Sequence, residues 1–359
     1  MTEPGGSTFA TLRREVARNA TGARNGVKWF AGAEFAPLHP TPSEVIWTNG
    51  KARVRRFTRD TQARYATPVL YLGLVGQSYI FDLYKGGSIA QMLMDYGFDV
   101  YVLDWGIPTE LDRHNTLETY IGGYLPRALD AICAESGSPN VDALGYCVGG
   151  VMSVHALAAQ PDLPINSLVT LAAPFDWSDM GAQANAMRDG KITPDDLADH
   201  TGNLPASVIV EGFKVRKPTS DLVNYANLWQ NLWNDDYGEG YQAIGRFLRD
   251  HVPVARAAVE QIVQSWMRDN AFITDRLRFD GRRVTLADVR IPVLGVIAER
   301  DDIAPLASAA AISDVLPNAQ VEKLQIDTGH VSLFAGRQAV KVVMPQIFDW
   351  VAEHSEETR

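Results

Sequence analysis

Cys147 stands in the run Gly145-Tyr146-Cys147-Val148-Gly149, with an apolar stretch before it and another after it. A strand, a G-x-C-x-G turn and a helix make a nucleophile elbow with cysteine where serine is usual. The reason for the glycines is steric. The nucleophile occupies a sharp turn, so the residues two places to either side must be small for the helix to approach the strand. A cysteine at a helix N-terminus also meets free N–H groups and the positive end of the helix dipole, which favour a thiolate. The rival reading is a buried structural cysteine on a tight turn. Cys133, the only other cysteine, lies on an apolar helical position and reads as core.

The elements needed to hold such a turn can be traced along the chain. Residues 52–58 alternate like a strand, and 69–75 form an apolar run that ends at Gly76. Ile89, Met92, Leu93 and Tyr96 share one helical face. Residues 99–103 read as a strand, and Asn115 with Glu118 reads as the cap of a following helix. The strand at 141–144 runs into the elbow, and the helix after it, through Gln160, is apolar on every side and so buried. Strands at 167–171, 291–298 and 320–326, with a helix over 306–316, complete the pattern. Alternating strands and helices give a mostly parallel sheet flanked by helices. Together with the elbow this is an α/β-hydrolase fold. Residues 177–290 are helical, tryptophan-rich and strand-poor, and read as a helical cap inserted between two sheet strands. The core then spans 46–176 and 291–359. Residues 1–45 read as a loosely structured N-terminal extension, with a proline-rich segment from Ala36 to Pro42.

This fold orders its triad as nucleophile, acid, histidine. Of the histidines after Cys147, His155 lies inside the elbow helix and His354 in the polar tail. His330 follows a strand and Thr328-Gly329, on a loop at the sheet edge where a general base belongs. The acid should follow the strand at 291–298, where Asp301 and Asp302 compete. Its role would be to orient the imidazole and stabilise its charged form. The oxyanion hole should use the N–H of Val148, after the nucleophile, and one from Val75 or Gly76. Asp327-Thr328-Gly329 is a single copy of an aspartic-protease-like triplet beside His330, and no metal-ligand spacing appears. Trp229, Trp233 and Trp266 read as cap core rather than a ligand box.

Composition narrows the partners. The 359 residues carry a net charge of −10 with no basic block, so nucleic acid is excluded as a partner. An anionic substrate would be repelled unless Lys and Arg gather near the site. No run approaches a membrane span, the first 25 residues lack an apolar signal core, and two cysteines make no disulfide framework, so a cytoplasmic protein is expected.

The sequence resembles the polyhydroxyalkanoate synthase family, in its short catalytic subunits. The resemblance covers about residues 45–350. It rests on Tyr79-Ile80-Phe81-Asp82-Leu83, on Asp99 through Gly106 with its Asp-Trp-Gly end, on Leu144 through Gly150, on Asn227-Leu228-Trp229, and on the Asp301 and Gly329-His330 segments. It implies a cysteine acyltransferase that forms esters from hydroxyacyl-coenzyme A or a related thioester, with coenzyme A as substrate carrier and no cofactor. It further implies Asp301 as the acid and Val75 as the second oxyanion donor. A second synthase subunit, a homodimer through the cap and association with polymer granules belong to the same expectation. Two positions depart from the family: Asp302 replaces the usual histidine after the acid, and Gly76 replaces an asparagine beside the oxyanion loop. Both bear on polymer formation. A hydrolase with the same triad and a non-catalytic granule-binding relative are the rival readings.

Overall fold

The computed structural model describes residues 6–30, 38, 40–216, 228 and 230–358. It opens with helix α1 (Gly6–Phe30), followed by the antiparallel pair β1 (Ser43–Asn49) and β2 (Ala52–Phe57). Then come β3 (Val69–Leu72), α2 (Ile89–Tyr96), β4 (Val100–Asp104), α3 (Leu125–Ser136), β5 (Val141–Tyr146), α4 (Val148–Ala159) and β6 (Ile165–Leu171). After a long helical stretch the sheet resumes with β7 (Val293–Ala298) and β8 (Val321–Ile326), and helix α5 (Met344–His354) closes the chain.

These eight strands form one sheet in the order β1-β2-β4-β3-β5-β6-β7-β8. All neighbours from β4 onward are parallel, and β1 and β2 form an antiparallel edge. Every residue of β3 and of β7 is buried, as expected for strands covered on both faces. Period-two alternation sends Leu70 and Leu72 into the core under α3 and α4, and Val69 and Tyr71 into a second core shared with α2 and α5. Ten of the twelve residues of α4, Gly149 through Ala158, are buried, so its all-round apolarity has the expected cause.

Between β6 and β7 the chain runs through helices at Ala182–Arg188, Pro194–Leu197, Ala206–Arg216, Asp235–Phe247 and Arg256–Gln261. A small hairpin pairs Arg278–Phe279 with Arg282–Arg283. Trp266 is fully buried, packed against Trp177 and Phe272, as a core tryptophan should be. Trp233 is 38% exposed and takes the guanidinium of Arg18 over its ring at 4.1 Å. Trp229 and Asn227 lie outside the described residues.

Several local expectations are corrected. Within the N-terminal extension the described residues 6–30 are helical rather than loose, α1 running for 25 residues, and part of the proline-rich segment 36–42 lies outside the described residues. No proline interrupts α1, and its end is tied to the rest of the chain. The buried Asn25 amide donates to the Leu232 carbonyl and to Asp235, both at 2.7 Å, while Arg24 pairs with Asp235. Such tertiary contacts supply the helix stability that propensity alone does not signal. Strand β1 has no counterpart among the expected strands; it lies at the sheet edge and is mostly exposed, so it lacks an alternating pattern. The run 69–75 leaves the sheet at Leu72 and turns into a loop. The helix near 118 is capped by Thr116, whose hydroxyl accepts from the Thr119 N–H, rather than by Asn115. The 306–316 helix is two short pieces, Leu306–Ala310 and Ile312–Val315.

Candidate active site

Strand β5 delivers Cys147 to the carboxyl edge of the sheet, and α4 begins one residue later. Cys147 has φ 52° and ψ −123°, a conformation that L-residues avoid and that costs on the order of 1–3 kcal/mol. Its surroundings hold it there. The Cys147 N–H donates to the Leu171 carbonyl at 2.8 Å. A Cβ on Gly145 would lie 2.5 Å from Gly150 Cα, and one on Gly149 would lie 2.4 Å from the Leu72 carbonyl oxygen. Gly150 is equally crowded, with Ala173 Cβ at 2.8 Å from such an atom, a constraint that the five-residue motif does not include.

Strands β7 and β8 pair in register up to Ala298 opposite Ile326, so the loops after them emerge side by side. The Arg300 N–H donates to the Thr328 carbonyl and holds the two loops together. This brings His330 and Asp301 into contact: His330 Nδ1 donates to Asp301 Oδ2 at 2.7 Å. The other carboxylate oxygen, Oδ1, accepts from the N–H groups of Ile303 and Ala304. The Asp301 side chain has no solvent exposure, whereas the neighbouring Asp302 is exposed. With Nδ1 committed to Asp301, the remaining ring nitrogen is left for Cys147, which lines the same cavity.

Burial opposes a charge on His330. The Cys147 sulfur and the Asp301 carboxylate outweigh it and hold the imidazole well above its ordinary range, at about 10. Tyr146 packs its ring 5.0 Å from that of His330 and edge-on to Phe334, which restrains the imidazole plane. The hydroxyl of Tyr146 is held protonated by its burial and by the charges of Cys147 and Asp301.

The other histidines differ. His155 is buried beside Trp266, Phe272 and Phe279, donates to the Arg278 carbonyl, and is pulled down to about 4 by burial. It is a neutral core residue. His354 ends α5 and bonds the Trp350 carbonyl. Cys133 is half-buried on α3, and burial raises its thiol.

Cys147 and His330 open on a cavity of about 1930 Å³. Val148 and Val75 both line it. Val148 is the first residue of α4, so its N–H has no partner within the helix. Three features of the cavity were not readable in the sequence. Trp29 from α1 forms part of its wall and meets Tyr241 edge-on at 5.5 Å. Phe247 closes over Gly76. Lys85, Arg249, Arg337 and Lys341 line it and are exposed, whereas Asp302 is the one carboxylate residue among its described lining. These groups come from distant parts of the chain, and no local signal links them. Among the described residues no cluster of metal-ligating side chains is found, and no helix is long and apolar enough to cross a membrane.

A strained strand-turn-helix apex facing a histidine and its acid, on a largely parallel sheet, defines the class of protein. The model for the alpha/beta hydrolase fold matches residues 69–336, and the chain belongs to that family. Within it, the sequence is similar to poly(3-hydroxyalkanoate) polymerase subunits PhaC, so the synthase resemblance holds. The subunit of Haloferax mediterranei is 31% identical over 319 residues, which cover 88% of this chain and 65% of that protein. The chain thus spans just under two thirds of that relative's length. The subunit of Allochromatium vinosum is 28% identical over 332 residues, covering 91% of this chain and 93% of its own. That of Thiocystis violacea is 27% identical over 349 residues, covering 96% and 97%. Among solved structures, a thermophilic esterase from Thermogutta terrifontis superposes with a TM-score of 0.50 at 17% identity, covering 87% of this chain and 99% of its own, a likeness of fold.

Proposed function

We propose that the protein is a cysteine acyltransferase that accepts a hydroxyacyl group from a coenzyme A-type thioester and passes it to a hydroxyl as an ester. The observation that carries this reading is the placement of Cys147, on its strained turn, and of a His330 that is itself held by Asp301 in the lining of one large cavity. The Cys147 thiolate attacks the thioester carbonyl. A new C–S bond forms, the carrier's C–S bond breaks, and the departing thiolate takes the proton from His330. Exchange of one thioester for another is nearly isoenergetic, so the acyl group stays activated. His330 then removes the proton of an incoming hydroxyl, whose oxygen attacks the acyl carbonyl and releases Cys147. The N–H groups of Val148 and Val75 would receive the carbonyl oxygen as it becomes negative. Asp301 orients the imidazole and stabilises its charged form.

The chain is acidic overall, yet four exposed cations line the cavity. That supports a phosphate-bearing carrier. The names of the sequence relatives support ester formation over hydrolysis.

The test is incubation with 3-hydroxybutyryl-coenzyme A, following free thiol, the acyl adduct by mass spectrometry, and the product. The expected outcome is an adduct on Cys147, released coenzyme A and oligoester, all absent in Cys147→Ala. Release with free acid alone would identify a hydrolase. No release and no adduct across several thioesters would remove both readings.

A further inference from the structure

The loop after β3 carries Val75 and Gly76 into the cavity, and the end of the helix Asp235–Phe247 closes down on it. A Cβ on Gly76 would lie 2.7 Å from Phe247 Cζ, so the ring occupies the space that a side chain at position 76 would take. The ring is fixed there. It meets Tyr79 edge-on at 5.9 Å and the His251 ring at 5.4 Å, and Phe247 is only 4% exposed. The backbone beyond it is tied to the same loop: the Val252 N–H donates to the Val75 carbonyl, and the Tyr79 hydroxyl donates to Asp250. The helical insertion therefore places one rigid aromatic ring on the residue that follows the candidate oxyanion donor. This also accounts for the glycine at position 76, because the ring takes the volume that any side chain there would need.

We infer that Phe247 is a specificity-determining residue that limits the length of the acyl group delivered to Cys147, an assignment that rests on the acyltransferase reading. A thioester whose carbonyl oxygen sits at the Val75 N–H has its acyl chain attached one bond away, on the carbon facing Cys147. The chain must then leave past Gly76 and the Phe247 ring. A two- or three-carbon tail fits beside a fixed ring, and a longer tail collides with it. Replacing Phe247 by a smaller residue opens that space toward the rest of the cavity.

The experiment compares Cys147 acylation by 3-hydroxybutyryl- and 3-hydroxyoctanoyl-coenzyme A, followed as adduct formation in the full-length protein. Wild type should favour the short group. Phe247→Ala should raise the octanoyl-to-butyryl ratio of kcat/KM by about tenfold or more, the scale on which apolar pockets discriminate methylenes. Phe247→Leu, which retains most of the buried volume, should shift it the same way by less and serves if the alanine variant does not fold. A ring that served only to pack would lower both rates together and leave their ratio alone. An unmoved ratio in the folded variants therefore overturns the assignment while the acyltransferase reading stands. Absence of any adduct in wild type with either thioester overturns that reading, and the assignment with it.

Discussion

Asp301 and Asp302 are chemically identical neighbours with opposite surroundings. The turn after β7 folds Asp301 back onto the N–H groups of Ile303 and Ala304, which leaves one oxygen for His330, and it turns Asp302 outward. Asp301→Asn should lower kcat by about 10³–10⁴-fold, since an amide can hold the wrong imidazole tautomer. Asp302→Asn should change kcat less than tenfold, and steady-state thioester kinetics on both variants decide between them. The charge on His330 gives a second prediction. Its folded value of about 10 lies above the ordinary 6.5, so the proton is retained through neutral pH and lost as pH rises through about 10. The stability it contributes is complete below about 6.5 and disappears over that same rise. In Cys147→Ala the sulfur beside His330 is gone and only Asp301 remains, so the imidazole should titrate at a clearly lower pH. Histidine-selective NMR across a pH series checks this; an unchanged titration would mean that Cys147 does not support the charge.

At the scale of the element, the elbow works because two backbones touch. Gly149→Ala would press a methyl into the Leu72 carbonyl, 2.4 Å away, and the neighbouring strand cannot yield as a flexible side chain would. We expect a loss of about 1–3 kcal/mol in denaturant unfolding, with any activity falling further than stability because β3 leads into the oxyanion loop. Helix α1 is a different case. Its residues from Arg13 to Ala20 are exposed, and its hold on the molecule is concentrated near Asn25 and Trp29. Asn25→Ala leaves the Leu232 carbonyl without its donor and should cost about 1–3 kcal/mol locally. Hydrogen exchange should then speed up in α1 and leave the sheet unchanged. The elbow was legible from five residues because its constraint is local. The anchoring of α1 was not, since Asn25 and Leu232 lie 207 residues apart.

Across the whole molecule, net charge and local field point in opposite directions. The chain has 43 acidic and 33 basic residues, yet four cations and one carboxylate residue line the described cavity wall. A polyanionic carrier would be repelled by the surface at large and attracted at the opening, and such fields are screened by salt. Reversing Arg337 and Lys341 to Glu should raise KM for an acyl-coenzyme A severalfold and weaken its salt dependence. The KM for the same acyl group on N-acetylcysteamine, which has no phosphates, should stay put. Equal losses with both thioesters would mean that these residues do not read the carrier's charge.

The sequence by itself determined the fold class, the nucleophile candidate and the base candidate. Each follows from short-range constraints: strand alternation, glycines around a tight turn, and the chain order of loops at one sheet edge. It left Asp301 and Asp302 unresolved except by resemblance, because adjacent residues differ only in where a turn points them. Only the tertiary structure decided which of the two meets His330, what stands over Gly76, and where cations gather in an acidic chain. Those depend on contacts between residues tens to hundreds of positions apart, and no local pattern encodes them.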